Sequence, residues 1–189
     1  MKSKITLAVL LVAGMSAFFF SCNQPAPQQA AAPSMDRVNM MIKDWERAKK
    51  YTQAYMDSAN DQSITFKSSA KTPRTFGNQM LHLAEANYGV VQMATGKATD
   101  LGFGKMEGKD NYKTKADVAQ AVAASYDFVI AALKEMNDGQ LPDSCKVFDF
   151  KMTKELAFNK VFEHQTHHRG QTTQYLRAQG LTPPQEMLF

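Results

Sequence analysis

Apolar residues recur along most of this chain at spacings of three and four, the period of a helix with one buried face. From about Asp36 to Ala59 the stripe is Val38, Met41, Trp45, Ala48, Tyr51 and Tyr55. A second pattern follows Thr72-Pro73 and runs to about Thr95, with Gly96 as its stop; its stripe is Phe76, Met80, Leu83, Asn87, Val91 and Ala94. A third starts at Thr114, whose hydroxyl is placed to cap while Asp117 complements the helix N-terminus. It carries Val118, Val122, Tyr126, Val129, Leu133 and Met136 and ends at Asn137-Asp138-Gly139. The fourth runs from about Thr153 to Gln179 and is closed by Gly180, with Pro183-Pro184 beyond. Strand signals are poor: Ser63 to Ser68 could pair briefly, but one short run does not make a sheet. The pattern predicts an all-α protein, an up-and-down-type four-helix bundle. Two of its connections, Gly96 to Lys113 and Asn137 to Met152, are longer than a bundle requires.

A different pattern occupies the first residues. Lys2 and Lys4 precede an apolar run from Ile5 to Phe20, shorter than a membrane span and interrupted by Gly14 and Ser16. Phe19-Phe20-Ser21-Cys22 resembles a bacterial lipobox, in which the cysteine after a small residue becomes lipidated. An uncleaved anchor, or a signal cleaved without lipid, would share the apolar run. Asn23 to Ser34 is mostly Pro, Ala and Gln, without charge or periodicity, and reads as a tether. The expected organisation is a lipoprotein signal over 1–21, a tether over 22–34 lipidated at Cys22, and the bundle over 35–189. Membrane attachment through that lipid would place the protein at the cell envelope.

The chain's length of 189 residues suits one domain with an appended tail. Its 22 basic against 18 acidic residues give a formal +4. Without Lys2 and Lys4 the balance is 20 against 18, so charge offers no case for nucleic acid. The two cysteines, Cys22 and Cys145, are too few for a disulfide scaffold or a thiolate zinc site. With Cys22 lipidated, Cys145 has no partner within the chain and reads as an inert loop or packing cysteine.

The four histidines all fall in helical patterns: His82 in the second, His164, His167 and His168 in the fourth. At about 100° per residue, His164 lies within about 40° of His168, together with Ala157, Val161, Thr172 and Tyr175. His167 points about 100° to the side. Two imidazoles at i and i+4 on a buried stripe can offer neutral nitrogens to one divalent ion. A third from a facing helix would complete three protein ligands and leave positions open, as in catalytic zinc sites. His82 is off its helix's main stripe, on a face with Gln79, Ala86, Gly89 and Met93, and can serve only if that small-residue face looks toward the pair. Zinc, nickel, manganese and iron all suit such a donor set. His164-Gln165-Thr166-His167-His168 has the spacing of H-E-x-x-H, but Gln165 replaces the general-base Glu, which excludes that protease chemistry.

Glu163 to Gln171 (EHQTHHRGQ), followed by Tyr175-Leu176-Arg177 and the ending Gly180-Leu181-Thr182-Pro183-Pro184, resembles the last helix of the DinB family. Thr75 to Ala84 (TFGNQMLHLA) is similar to that family's second-helix histidine segment, and the resemblance extends over about Asp36 to Pro184. It implies a four-helix bundle holding a divalent metal on His82, His164 and His168, with His167 and Arg169 outside the ligand set. The wider superfamily includes thiol-dependent transferases, so a metal-dependent S-transferase on a small molecule is one implied activity. Metal-assisted hydrolysis is another, for which Glu85, nearly one turn after His82, is the candidate carboxylate. The alternative is a non-catalytic, metal-stabilised binding or interaction module. Bundles also pair through apolar helix faces, which makes a homodimer a candidate assembly.

Overall fold

The computed structural model describes residues 36–189; Cys22, the apolar run before it and the proposed tether lie outside the described residues. Four helices dominate: α1 (Arg37–Ser58), α2 (Phe76–Thr95), α3 (Lys115–Lys134) and α4 (Lys154–Ala178). Each begins where a side chain can satisfy a free backbone N–H. Asp36 accepts from the Asn39 amide, Thr75 from Asn78 and Thr153 from Leu156, while Thr114 and Asp117 cap each other reciprocally. Gly96 ends α2 at φ +79, a left-handed conformation that favours glycine. The third helix stops at Lys134, earlier than its apolar pattern suggested. Asn137 does not end it but caps a separate 3₁₀ turn, Asp138–Gln140.

The expected stripes are the buried faces, except that Met41 and Met136 are half-buried and Met136 lies beyond the end of α3. Phe76, Met80, Leu83, Asn87, Val91 and Ala94 of α2 all face the core, as do Val118, Val122, Tyr126, Val129 and Leu133 of α3. Trp45 sits at the centre, against Tyr126 at 5.6 Å and Phe162 at 5.2 Å between ring centroids. Cross-helix contacts fix the directions. Asn87 donates to Ser125 and Lys97 pairs with Glu135, so α2 and α3 run parallel. Trp45 meets Phe162 and Tyr55 meets Thr173, so α1 and α4 also run parallel. Phe76 meets Tyr175 while His82 meets His168, which makes α2 and α4 antiparallel. The helices therefore run up, down, down, up, with α1 and α2 at opposite corners and α3 and α4 between them.

This order explains the longer of the two connections. Parallel neighbours require the chain to travel back the length of a helix, about 30 Å for twenty residues, and residues 96–114 make that return between α2 and α3. The α3–α4 connection contains a hairpin, β1 (Ser144–Val147) against β2 (Phe150–Thr153), with Val147 opposite Phe150. The sequence pattern had this stretch as a loop and singled out Ser63–Ser68, where the chain instead forms a 3₁₀ turn over Asp61–Thr65. The hairpin turn is Phe148-Asp149, with Phe148 at φ +52. Two-residue hairpin turns normally announce themselves through Asn or Gly at such positions. Here Phe148 is held by contacts distant in sequence, its amide on Met93 Sδ at 3.3 Å and its ring against Phe103 at 5.2 Å.

Candidate metal centre

The antiparallel pair α2 and α4 builds the site. Gln79 of α2 bonds Gln171 of α4, Phe76 packs on Tyr175, and Ala86 presents almost no side chain between them. The small-residue face of α2 thus looks toward α4, the condition that His82 needed. Its ring centroid lies 5.2 Å from that of His164 and 4.6 Å from that of His168. The rings of His164 and His168 are 4.3 Å apart. One nitrogen from each of the three can be chosen so that all lie within 4.8 Å of one another.

Burial sets the charge state of this trio. Desolvation comes first among the causes, and neighbouring imidazoles add to it, bringing His164 down to about 4 and His168 to about 3. His82 is lowered too, first by burial and then by Arg74, against the opposing pull of Glu107. All three rings are therefore uncharged at neutral pH, the form that offers a lone pair. Nδ1 of His164 and Nδ1 of His168 are buried without a hydrogen-bond partner. An unsatisfied buried polar atom costs about 1–3 kcal/mol. Three neutral imidazoles, two of them with unmet bonding capacity, fit a divalent ion of the zinc, nickel, manganese or iron group.

A second layer of residues orients His82. Glu107 Oε2 lies 3.4 Å from His82 Nδ1, and Glu107 Oε1 accepts from Arg74 Nε at 2.9 Å. Arg74 Nη2 also lies 3.3 Å from His82 Nδ1; a carboxylate that accepts from that nitrogen leaves the other one for metal, whereas the guanidinium can only donate to it. Glu107 comes from the long α2–α3 connection, and Glu85 is what holds it there. Buried at 2% exposure, Glu85 Oε1 accepts from the amides of Met106 (2.6 Å) and Glu107 (2.8 Å). Asn78 Oδ1 accepts from Gly108 at 3.2 Å. The candidate catalytic carboxylate is thus engaged as a clamp. Glu107 joins Glu85 beside His82, a neighbour that no spacing rule within a helix could have found.

The remaining motif residues point elsewhere. His167 is exposed and meets Gln171 at 2.9 Å, outside the trio. Gln165 is buried on a neighbouring face of α4, about 100° round from His164, its Oε1 accepting from Tyr126 Oη and Arg169 Nη1 at 2.8 Å each. Arg169 lies 4.4 Å over the Tyr51 ring, and burial lowers its pKa. Cys145 is half-buried and free, with its thiol pKa raised by burial, so it stays protonated as an inert cysteine should.

Two cavities reach the trio. One, of about 690 Å³, is walled by apolar side chains of α2, α4, the hairpin and the α2–α3 connection, and includes His164. The other, of about 450 Å³, is polar and includes Arg74, Gln79, Gln171 and His168.

Fold and site together define a class: an up-down-down-up helical bundle with three histidines converging from two antiparallel helices. The DinB family profile matches residues 35–187, and the chain belongs to the DinB family. A relative from Bacillus subtilis (strain 168), the uncharacterized protein YrdA, is 28% identical over 152 residues, spanning 78% of this chain and 86% of its own. A DinB-like protein from Bacillus cereus ATCC 10987 superposes with a TM-score of 0.68 at 22% identity, covering 78% of this chain and 96% of that one. The DinB-like protein YjoA from Bacillus subtilis does so at 0.62 and 15% identity, over 80% and 97% respectively. At those identities the structural likeness speaks for the fold.

Proposed function

We propose that this DinB-family bundle binds one divalent cation on His82, His164 and His168 and uses it in chemistry on a small molecule. The observation that carries the reading is the convergence of three neutral imidazoles, two of them with unsatisfied buried nitrogens. Such an ion supplies Lewis acidity and lowers the pKa of a group that it holds. The chain's residues supply the rest. Burial keeps the three rings deprotonated, Glu107 orients His82, and the apolar cavity limits water at the His164 side.

Of the two activities considered, group transfer from a thiol fits better than hydrolysis. Hydrolysis calls for a free carboxylate beside the ion. Among the described residues, the two acidic side chains at the trio are Glu85, clamped on two backbone amides, and Glu107, paired with Arg74. The reading as a binding module without chemistry predicts a coordination shell with no exchangeable water. The reading further has Cys22 carry lipid and hold the domain at the cell envelope; labelled palmitate incorporated by the wild type but not by Cys22→Ser tests that part.

The central test is metal content of the purified chain for wild type, His168→Ala and His167→Ala. About one divalent ion per chain is expected in the wild type and in His167→Ala, and loss in His168→Ala. Equal content in all three, or none in any, would remove the proposal.

A further inference from the structure

The cavity that includes His164 has the features of a built receptacle. Phe103, Phe148 and Phe150 form its lip at 36%, 55% and 69% exposure, in a protein whose other aromatic rings mostly serve the core. Large apolar groups gathered at one exposed place mark a binding surface more often than chance decoration. The lip is also held in position at conformational cost. Phe103 sits so close to α2 that a Cβ on Gly89 would lie 2.5 Å from its ring, and Phe148 occupies a left-handed backbone conformation. Gly89 and the Met93 sulfur that receives the Phe148 amide both belong to the small-residue face of α2. The same face therefore presents His82 to the trio and seats the two aromatic rings.

The charged residues in the lining are two lysines, Lys151 and Lys160. Lys151 pairs across the hairpin with Lys146, on the face opposite to Val147 and Phe150. Lys160 directs its ammonium to Glu163 at 2.8 Å. Among the described residues no carboxylate lines the cavity, and the imidazole of His164 is part of its wall. A cation placed there would lose its hydration without gaining a partner. A cavity of about 690 Å³ lies within the usual range for small-molecule sites.

We infer that this cavity binds the body of the substrate, and that the substrate is a small molecule with an alkyl or aryl body free of positive charge, carrying its reacting polar group at the end that meets His164. The assignment of that end rests on the metal-centre reading; the apolar body does not. The polar cavity at His168 leaves a separate approach for a hydrophilic co-reactant.

The experiment titrates the full chain, stripped of metal, with straight-chain alcohols of increasing length, following binding by calorimetry. Affinity should rise about fourfold per methylene until the cavity is filled, and alkylammonium ions of matched length should bind at least about tenfold more weakly. Val90→Phe, which fills the cavity from α2, should abolish the length dependence. Phe148→Ser, at the exposed lip and harmless to the core, should flatten it, with circular dichroism confirming the fold of both variants. No dependence on chain length, equal binding of alkylammonium ions, or binding unchanged in well-folded Phe148→Ser would each overturn the inference. A parallel titration of zinc-loaded protein with alkyl hydroxamates separates the two readings. If alcohols show the length dependence but zinc adds nothing to hydroxamate binding, the apolar seat stands, and its link to a metal centre falls.

Discussion

Glu107 offers the sharpest test of how this site is organised, because its proposed role depends on one contact. Its Oε2 lies 3.4 Å from His82 Nδ1, and its side chain is 27% exposed. A hydrogen bond to a charged group is worth about 1.5–3 kcal/mol, but this one is long and partly wet, so about 1.4 kcal/mol is a sounder expectation. That is about tenfold in affinity, the lower edge of the effect expected for a residue that orients a metal ligand. Glu107→Gln should therefore weaken zinc binding by about tenfold, measured by competition with a chromophoric chelator. Glu107→Ala should cost more, because Arg74 Nη2, 3.3 Å from His82 Nδ1, would then stand uncompensated beside the site. Adding Arg74→Gln to Glu107→Ala should recover part of the loss, a coupling that a double-mutant cycle reads directly. Glu163→Gln is the control: it also removes a negative charge next to a ligand in sequence, but its carboxylate pairs with Lys160 on the surface. If Glu107→Gln binds zinc within twofold of the wild type, or no worse than Glu163→Gln, the orientation argument is wrong.

Further expectations follow from other contacts. Gly77→Ala should destabilise by about 1–2 kcal/mol in urea unfolding, because a Cβ there meets the Ile64 backbone oxygen at 2.9 Å, whereas Gly89→Ala should cost less, because its obstacle is the partly exposed Phe103 ring, which can yield by giving up its seat on α2. Equal costs for the two would show that backbone and side-chain obstacles do not differ here. Asp138 accepts from the amides of Arg37 and Val38 at 2.9 Å each, and these bonds lower its pKa. Its contribution is complete above the ordinary carboxylate range and is lost as pH falls through the depressed value, so Asp138→Asn should lower Tm at pH 7 and flatten the acid limb of the stability curve. In metal-stripped protein, His164 and His168 bind protons less readily folded than unfolded, which makes stability fall as pH drops from 6.5 toward about 4. A His164→Ala/His168→Ala variant with the same slope over that range would contradict this.

The helices were legible because their signals are local. Asp36, Thr75, Thr114 and Thr153 cap within three residues of themselves, and the apolar stripes of α2 and α3 are periodic whatever they pack against. The histidine geometry was legible for the same reason, since a helix of known pitch separates His168 from His167 without any tertiary information. What stayed hidden depends on contacts between distant segments. The hairpin turn at Phe148 lacks the usual glycine or asparagine because Met93 and Phe103 hold it in place. Glu107 lies in a glycine-rich connection whose path is set by Glu85 and Asn78, so the same loop could have delivered it anywhere. Helical spacing placed Glu85 near His82, where it lies, but that its Oε1 is held by backbone amides from another segment was beyond the reach of that spacing.

The weak amphipathicity of α4 has a physical explanation that ties the site to the core. An ordinary bundle helix buries one apolar stripe, yet α4 buries two faces that both carry polar side chains. One holds His168 and Thr172 beside Ala157 and Val161, facing α2; the other holds Gln165 and Arg169, facing α1 and α3. Gln165 accepts from both Tyr126 and Arg169, and the guanidinium stacks on Tyr51 without a carboxylate partner. A buried charge without a counter-ion is tolerable only where aromatic and amide groups surround it in fixed geometry. That fixed geometry sets the rotation of α4 about its own axis. Since His164 precedes Gln165 and His168 precedes Arg169, any rotation that disturbed the buried network would also swing both imidazoles away from His82. Arg169→Met, which keeps the volume and removes the network, should therefore leave the bundle folded by circular dichroism while weakening zinc binding. Zinc affinity unchanged in a well-folded Arg169→Met would show that packing against α2 alone is enough to aim the histidines.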